Sequence, residues 1–201
     1  MKKISVLDRI LLLITGLLAA YQISFGLNGI NSLSTWSYTV GFGVLLVAGL
    51  LLIIMGFEGL NNQSVVIVSA LIPLSLSLGL ISEHASQFTW VYSIFAIAGL
   101  IAIGITRYTS TGKFAALILS LVHGISGLII VFLPILLSIQ GLKPTGYSFV
   151  GIGGALIGTG GLLLAFLKVG RPLLSERSIL TVLPMLLLLM TAAFVYGFSF
   201  S

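Results

Sequence analysis

The stretch WVYSIFAIAGLIAIGIT, residues 90–106, with RYTSTGK at 107–113 after it, decides how this chain is threaded. It carries no charge, and at 17 residues it only just reaches the shortest helix that can cross a hydrocarbon core of about 30 Å. If it crosses, the apolar runs make seven spans; if it turns back halfway, they make six and everything after it is inverted. The basic residues decide between the two. With 90–106 counted as a span and the N-terminus in the cytoplasm, Lys2, Lys3, Arg9, Arg107, Lys113, Lys168, Arg171 and Arg177 all fall inside, and Lys143 alone falls outside. Short cytoplasmic loops carry the excess of Lys and Arg, so the seven-span threading is preferred.

The other six spans are expected at 10–27, 38–57, 64–81, 114–139, 147–167 and 179–198. Their breaks are marked by Asn61-Asn62-Gln63, Ser82-Glu83-His84, Lys143-Pro144-Thr145-Gly146 and Gly170-Arg171-Pro172. Trp36, Tyr38, Trp90, Tyr92 and Tyr147 then stand at outer ends, where an aromatic belt belongs. The expected fold is therefore all-α: a polytopic membrane helix bundle of seven transmembrane helices in one integral domain over residues 1–201. The N-terminus is cytoplasmic and the C-terminus external. The basic start followed by residues 10–20 has the outline of a signal peptide, but Leu18 stands where a cleavage site wants a small residue, so an uncleaved anchor is expected.

Composition agrees with this class. Of 201 residues, 58% are hydrophobic and 6% charged, where a soluble domain carries about 25% charged, and mean hydropathy is +1.25. The net charge of +5 is spread over separate loops and forms no nucleic-acid patch. Cysteine is absent, which excludes disulfides, thiolate metal sites and cysteine nucleophiles. Loops this short leave no soluble domain, so chemistry is confined to the bundle or its rim.

A shift of 111 positions, the separation of Pro73 from Pro184, lays the first three spans on the last three without gaps. Ile14-Thr15-Gly16-Leu17 meets Ile125-Ser126-Gly127-Leu128, and Gly43, Gly49 and Gly59 meet Gly154, Gly160 and Gly170. A parallel three-one-three repeat follows: residues 8–82, a linking helix at 90–106, and residues 113–198. That layout is similar to that of the SWEET sugar facilitators, which implies a substrate path at the repeat interface. The prolines of that family lie in the first two helices of each triplet, whereas here they lie in the third, and its N-terminus is on the opposite side. Microbial rhodopsins share the span number but need a lysine in the last span, which 179–198 lacks.

The polar residues inside spans are few. His123 stands about 15 Å beyond Lys113, near the bilayer midplane, where an ionisable group is a functional candidate. Ser126 follows on its face, and Thr15 and Gln22 occupy the corresponding region of the first span. With Ser69 and Ser77 they are the residues expected to line a path for a small neutral solute. Gly124-Ile125-Ser126-Gly127 also has the Gly-x-Ser-Gly spacing of rhomboid proteases. Such an enzyme needs a later histidine as base, and the other histidine, His84, comes earlier. Buried carboxylates for ion coupling are absent, and Asp8 and Glu58 are expected to pair with Arg9, Lys168 or Arg171 at the inner rim. Gly151, Gly154, Gly158 and Gly161 crowd the sixth span and are expected to pack helices closely, with the second and sixth spans both central. Pro73, Pro134 and Pro184 should kink their helices.

These features predict no catalytic residues, no metal site and no cofactor. They predict a cell-membrane, multi-pass protein whose partners are the lipid bilayer and other membrane subunits or a second copy of itself, and not nucleic acid. An accessory or scaffold subunit of a membrane complex is the first expectation, and a passive facilitator or channel for a small neutral solute is the alternative.

Overall fold

The computed structural model describes residues 2–27, 29–109, 113–168 and 174–201. The helices are α1 (Val6–Phe25), α2 (Ser32–Met55), α3 (Gln63–Ser69), α4 (Leu71–His84), α5 (Thr89–Thr109), α6 (Lys113–Ile139), α7 (Ser148–Lys168) and α8 (Glu176–Phe198), with short 3₁₀ turns between some of them. Among the described residues there is no strand, and six helical segments are long and apolar enough to cross a membrane. They are Val6–Phe25, Ser32–Leu60, Gln63–His84, Ser86–Thr109, Phe114–Ile139 and Glu176–Phe198. The chain is thus a multi-pass membrane protein by length and composition. α7 adds a further helix of 21 residues, about 32 Å at 1.5 Å per residue. The breaks expected near 110–112 and 170–172 lie outside the described residues.

Local sequence explains the ends. α1 opens four residues earlier than the apolar run because Ser5 and Asp8 form a capping box: Asp8 N–H donates to Ser5 Oγ at 3.1 Å and Ser5 N–H to Asp8 Oδ2 at 2.8 Å. Lys2 Nζ also reaches that Oδ2, at 2.8 Å. Asp8 therefore pairs with Lys2 and not with the expected Arg9, which as the next residue on the helix points away from it and is exposed. Glu58 stands exposed in the turn after α2, and Arg171 lies outside the described residues. Gly26 and Gly56, at φ 61° and 70°, end α1 and α2 in a conformation that a side chain would strain. α5 is longer than the 17 apolar residues imply, because the backbone stays helical through the polar Arg107-Tyr108-Thr109.

The span expected at 64–81 is one segment, Gln63–His84, with a local turn at Ala70 that divides it into α3 and α4. Pro73 has no N–H to offer the Ser69 carbonyl, and the chain turns at Ala70, whose N–H bonds to the Val66 and Ile67 carbonyls. Pro134 and Pro184 sit inside unbroken helices.

Packing closes a ring: α1 lies against α2, α2 against α4, α4 against α6, α6 against α7, α7 against α8, and α8 returns to α1. α5 is outside this ring, in the groove between α4 and α6. Its outward stripe of Trp90, Val91, Ile94, Ile97, Ile101 and Ile105 is exposed. The centre is filled by aromatic and branched side chains, with Phe42 edge-on to Phe194 and Phe198, and Ile130 and Met190 fully buried. α2 and α7, both expected to be central, share no neighbour in the ring: α2 lies against α1 and α4, and α7 against α6 and α8.

The glycines make the closest approaches. A Cβ on Gly151 would stand 2.5 Å from the Val131 carbonyl oxygen, and one on Gly154 2.7 Å from Ile130, so both hold α7 against α6. Gly153 and Gly197 do the same between α7 and α8. Gly158 and Gly161, expected in that seam, point to the exposed side, where a Cβ would have no neighbour within 4 Å among the described residues. Consequently Gly197→Ala, which puts a methyl 2.5 Å from the Val150 nitrogen, is expected to destabilise the fold by about 1–3 kcal/mol, against about 0.5 or less for Gly158→Ala. Thermal unfolding of both variants in the same detergent measures the difference.

Candidate functional site

Two polar clusters stand out in a chain with so few polar side chains. The first is inside the bundle. Tyr92 of α5 lies with its hydroxyl 2.5 Å from Ser77 Oγ on α4 and 2.9 Å from Ser126 Oγ on α6, all three side chains being buried. Ser77 Oγ donates to the Pro73 carbonyl, so Tyr92 donates to Ser77 and Ser126 donates to Tyr92. Every hydroxyl proton then has an acceptor. The chain of hydroxyls pins the outer helix to the ring, as interhelical polar contacts do in lipid.

The second cluster is at the end of the bundle away from the N-terminus, where α2 begins, α4 ends and the α6–α7 connection passes. Tyr38 Oη donates to Glu83 Oε2 at 3.0 Å, and Lys143 Nζ lies 3.4 Å from Glu83 Oε1. His84 Nε2 is 3.3 Å from the same oxygen and 2.7 Å from the Tyr147 hydroxyl. Lys143 Nζ also sits 5.3 Å above the Tyr147 ring. Side-chain exposure is only 10% for Glu83, 8% for His84 and 22% for Lys143, so this is a shielded ion pair and not a surface one. Phe198 of α8 packs on both tyrosines. Beside the cluster Asn31 caps α2, accepting from Ser34 N–H at 2.8 Å, and donates to the Ser82 carbonyl at 3.0 Å. Ser34 Oγ donates to the Gly79 carbonyl at 3.0 Å. Seven polar side chains from three parts of the chain thus fasten one end of the ring.

The residues read from sequence as lining a path are distributed over separate seams. Thr15, fully buried, donates to the Leu11 carbonyl of its own helix at 2.8 Å. Gln22 borders a cavity of about 20 Å³ between α1 and α2, with Tyr38 and Phe42 on its wall; a space of that size holds one water. Ser69 donates to the Val66 carbonyl at 2.9 Å. His123 Nδ1 is 3.1 Å from the Leu119 carbonyl one turn back. Only Ser77 and Ser126 come together, through Tyr92. Ser126 has this tyrosine, and not a histidine, as its side-chain partner, so its surroundings are those of a structural hydroxyl.

Sequence reasoning placed Glu83, His84 and Lys143 in loops and Tyr38, Tyr92 and Tyr147 in an aromatic belt, and so missed both clusters. The signal that was available is that, in the seven-span threading, the one outer lysine accompanies one outer glutamate: two lone charges on one rim of an apolar protein have each other as the natural partner. Among the described residues no three metal-binding side chains come together. In comparisons with known proteins, the chain matches no family model, no curated protein and no solved structure.

Two outcomes test the clusters. Tyr92→Phe leaves Ser126 without an acceptor in a buried seam and should cost about 1–3 kcal/mol, read as an earlier cleavage of α5 in limited proteolysis. For the end away from the N-terminus, a double-mutant cycle on Glu83→Gln and Lys143→Met should give a coupling of about 0.5–3 kcal/mol in thermal unfolding, whereas a solvated pair would give a value near zero.

Proposed function

We propose that this chain is a seven-span membrane protein of the cell membrane, N-terminus in the cytoplasm, acting as a non-catalytic accessory or scaffold subunit of a larger membrane complex. The observation that carries this reading is the outward side of α7. There Ala155, Gly158, Thr159 and Gly161 are exposed, and the two glycines leave open space where a side chain would stand. Thr159 keeps its hydroxyl bonded to the Ala155 carbonyl at 2.9 Å, so the strip offers shape and not hydrogen bonds. In lipid, helices associate by close van der Waals contact at small residues, and a groove of this kind is filled better by another helix than by acyl chains.

Support for the threading comes from the pairing of Lys143 with Glu83, which puts both residues at one end of the bundle as the seven-span reading requires. The parallel repeat is supported by packing order: α1, α2 and α3–α4 are neighbours in sequence, as are α6, α7 and α8, and the two sets touch through α1 with α8 and α4 with α6. That order maps onto itself when the sets are exchanged, and α5 stays outside it.

In blue-native separation from mild detergent the protein should run above its monomer size. Gly158→Leu with Gly161→Leu should return it to the monomer without lowering its unfolding temperature by more than a few degrees. A wild-type protein that runs alone as a monomer would remove the accessory reading. For the threading, reporter fusions at Gly59 and Ser175 should signal cytoplasm and fusions at Ser86, Gly141 and Ser201 the outside; a cytoplasmic Ser201 would overturn the seven-span assignment.

A further inference from the structure

At the N-terminal end of the bundle, Lys2, Lys3, Ser175, Glu176, Arg177 and Thr181 line an open groove of about 880 Å³ between the chain start and the first turns of α8. Lys2 is engaged already, with its Nζ on Asp8 at 2.8 Å and 5.5 Å above the Phe57 ring. That anchorage fixes the segment before α1 and leaves Lys3 exposed on the groove, opposite the equally exposed Arg177. The hydroxyls are occupied locally, Ser175 Oγ by Ser178 at 2.8 Å and Thr181 Oγ1 by the Arg177 carbonyl at 2.7 Å. Among the described residues that line the groove, three cations stand against one carboxylate, Glu176, so recognition falls to the cations.

What continues from the groove is apolar. Below Thr181, Val182, Met185 and Leu189 follow at helical spacing on α8 and are exposed, and Leu7, Ile10 and Ile14 are exposed on the neighbouring α1. A ligand that matches both parts carries a negative head and hydrocarbon tails. We propose that this groove holds the phosphate of an anionic phospholipid between Lys3 and Arg177, with its acyl chains along Val182, Met185 and Leu189. The inference rests on the chain spanning a membrane and is independent of the accessory-subunit reading.

Native mass spectrometry of the full chain in mild detergent tests it, with phosphatidylglycerol, phosphatidylcholine and inorganic phosphate offered separately. Phosphatidylglycerol should be retained over phosphatidylcholine, and Lys3→Gln with Arg177→Gln should lower its retention about 25-fold, since each cation near an anionic headgroup contributes roughly fivefold. Arg9→Gln removes an exposed cation of the same end that does not line the groove, and should change retention by less than about twofold. The proposal falls if the two lipids are retained equally, if the double variant binds as wild type, or if Arg9→Gln has as large an effect, which would mark diffuse surface charge. It also falls if inorganic phosphate displaces the lipid, which would make the groove a site for a free ion. Because all three substituted residues are exposed, an unchanged unfolding temperature separates lost binding from lost folding.

Discussion

Closure of the ring depends on the last helix meeting the first and second. α8 lies against α1, and its Phe194 and Phe198 reach the Phe42 and Tyr38 rings of α2 across the centre. Lipid gives no hydrophobic drive for one helix to join another, so this closure has to be made by fit. The fit is visible in the glycines: Gly153 and Gly197 let α7 and α8 touch backbone to side chain, and Gly79 makes room for the ring of Tyr38. A methyl at any of these positions would hold two helices apart and move the aromatic centre with them.

Tyr38 connects that apolar centre to the polar latch beyond it. Its ring packs on Phe198 with centroids 4.7 Å apart, while its hydroxyl donates to Glu83. A carboxylate this shielded needs its hydrogen bonds and its counter-ion, and the structure supplies a phenol, an ammonium and an imidazole from three segments. The same need places them: Glu83 draws the α6–α7 connection inward through Lys143, and that connection brings Tyr147 onto His84. The opposite end is built differently. There Lys2 and Asp8 neutralise each other beside one capping box, and Lys3, Arg9 and Arg177 face outward.

Glu83, His84 and Lys143 were legible in the sequence as charges at the breaks between spans, and Pro73 as a kink within one. Their convergence was not legible, because it requires the order in which helices close the ring, and the separations along the chain from Tyr38 to Glu83 and from Glu83 to Lys143 are long. His123, Thr15 and Ser69 illustrate the converse. Each looks functional as an isolated polar residue in an apolar run, yet each settles its hydrogen bond on its own helix within one turn, which any polar residue in a helix can do without tertiary help.

The sequence by itself determined the class of the protein, the approximate position of its long apolar helices and the uneven distribution of charge. All of these follow from the cost of placing charge and unpaired backbone in hydrocarbon, a cost paid segment by segment. Only the tertiary structure decided which helices are neighbours, that α5 stands outside the ring, which glycines of α7 face inward, and that two serines and three tyrosines serve as fasteners. In a soluble helix the polar face marks the outside. Here the lipid-facing and the protein-facing sides are equally apolar, so rotation about each helix axis leaves no mark in the hydropathy, and it is fixed by shape and by a few hydrogen bonds once the helices meet.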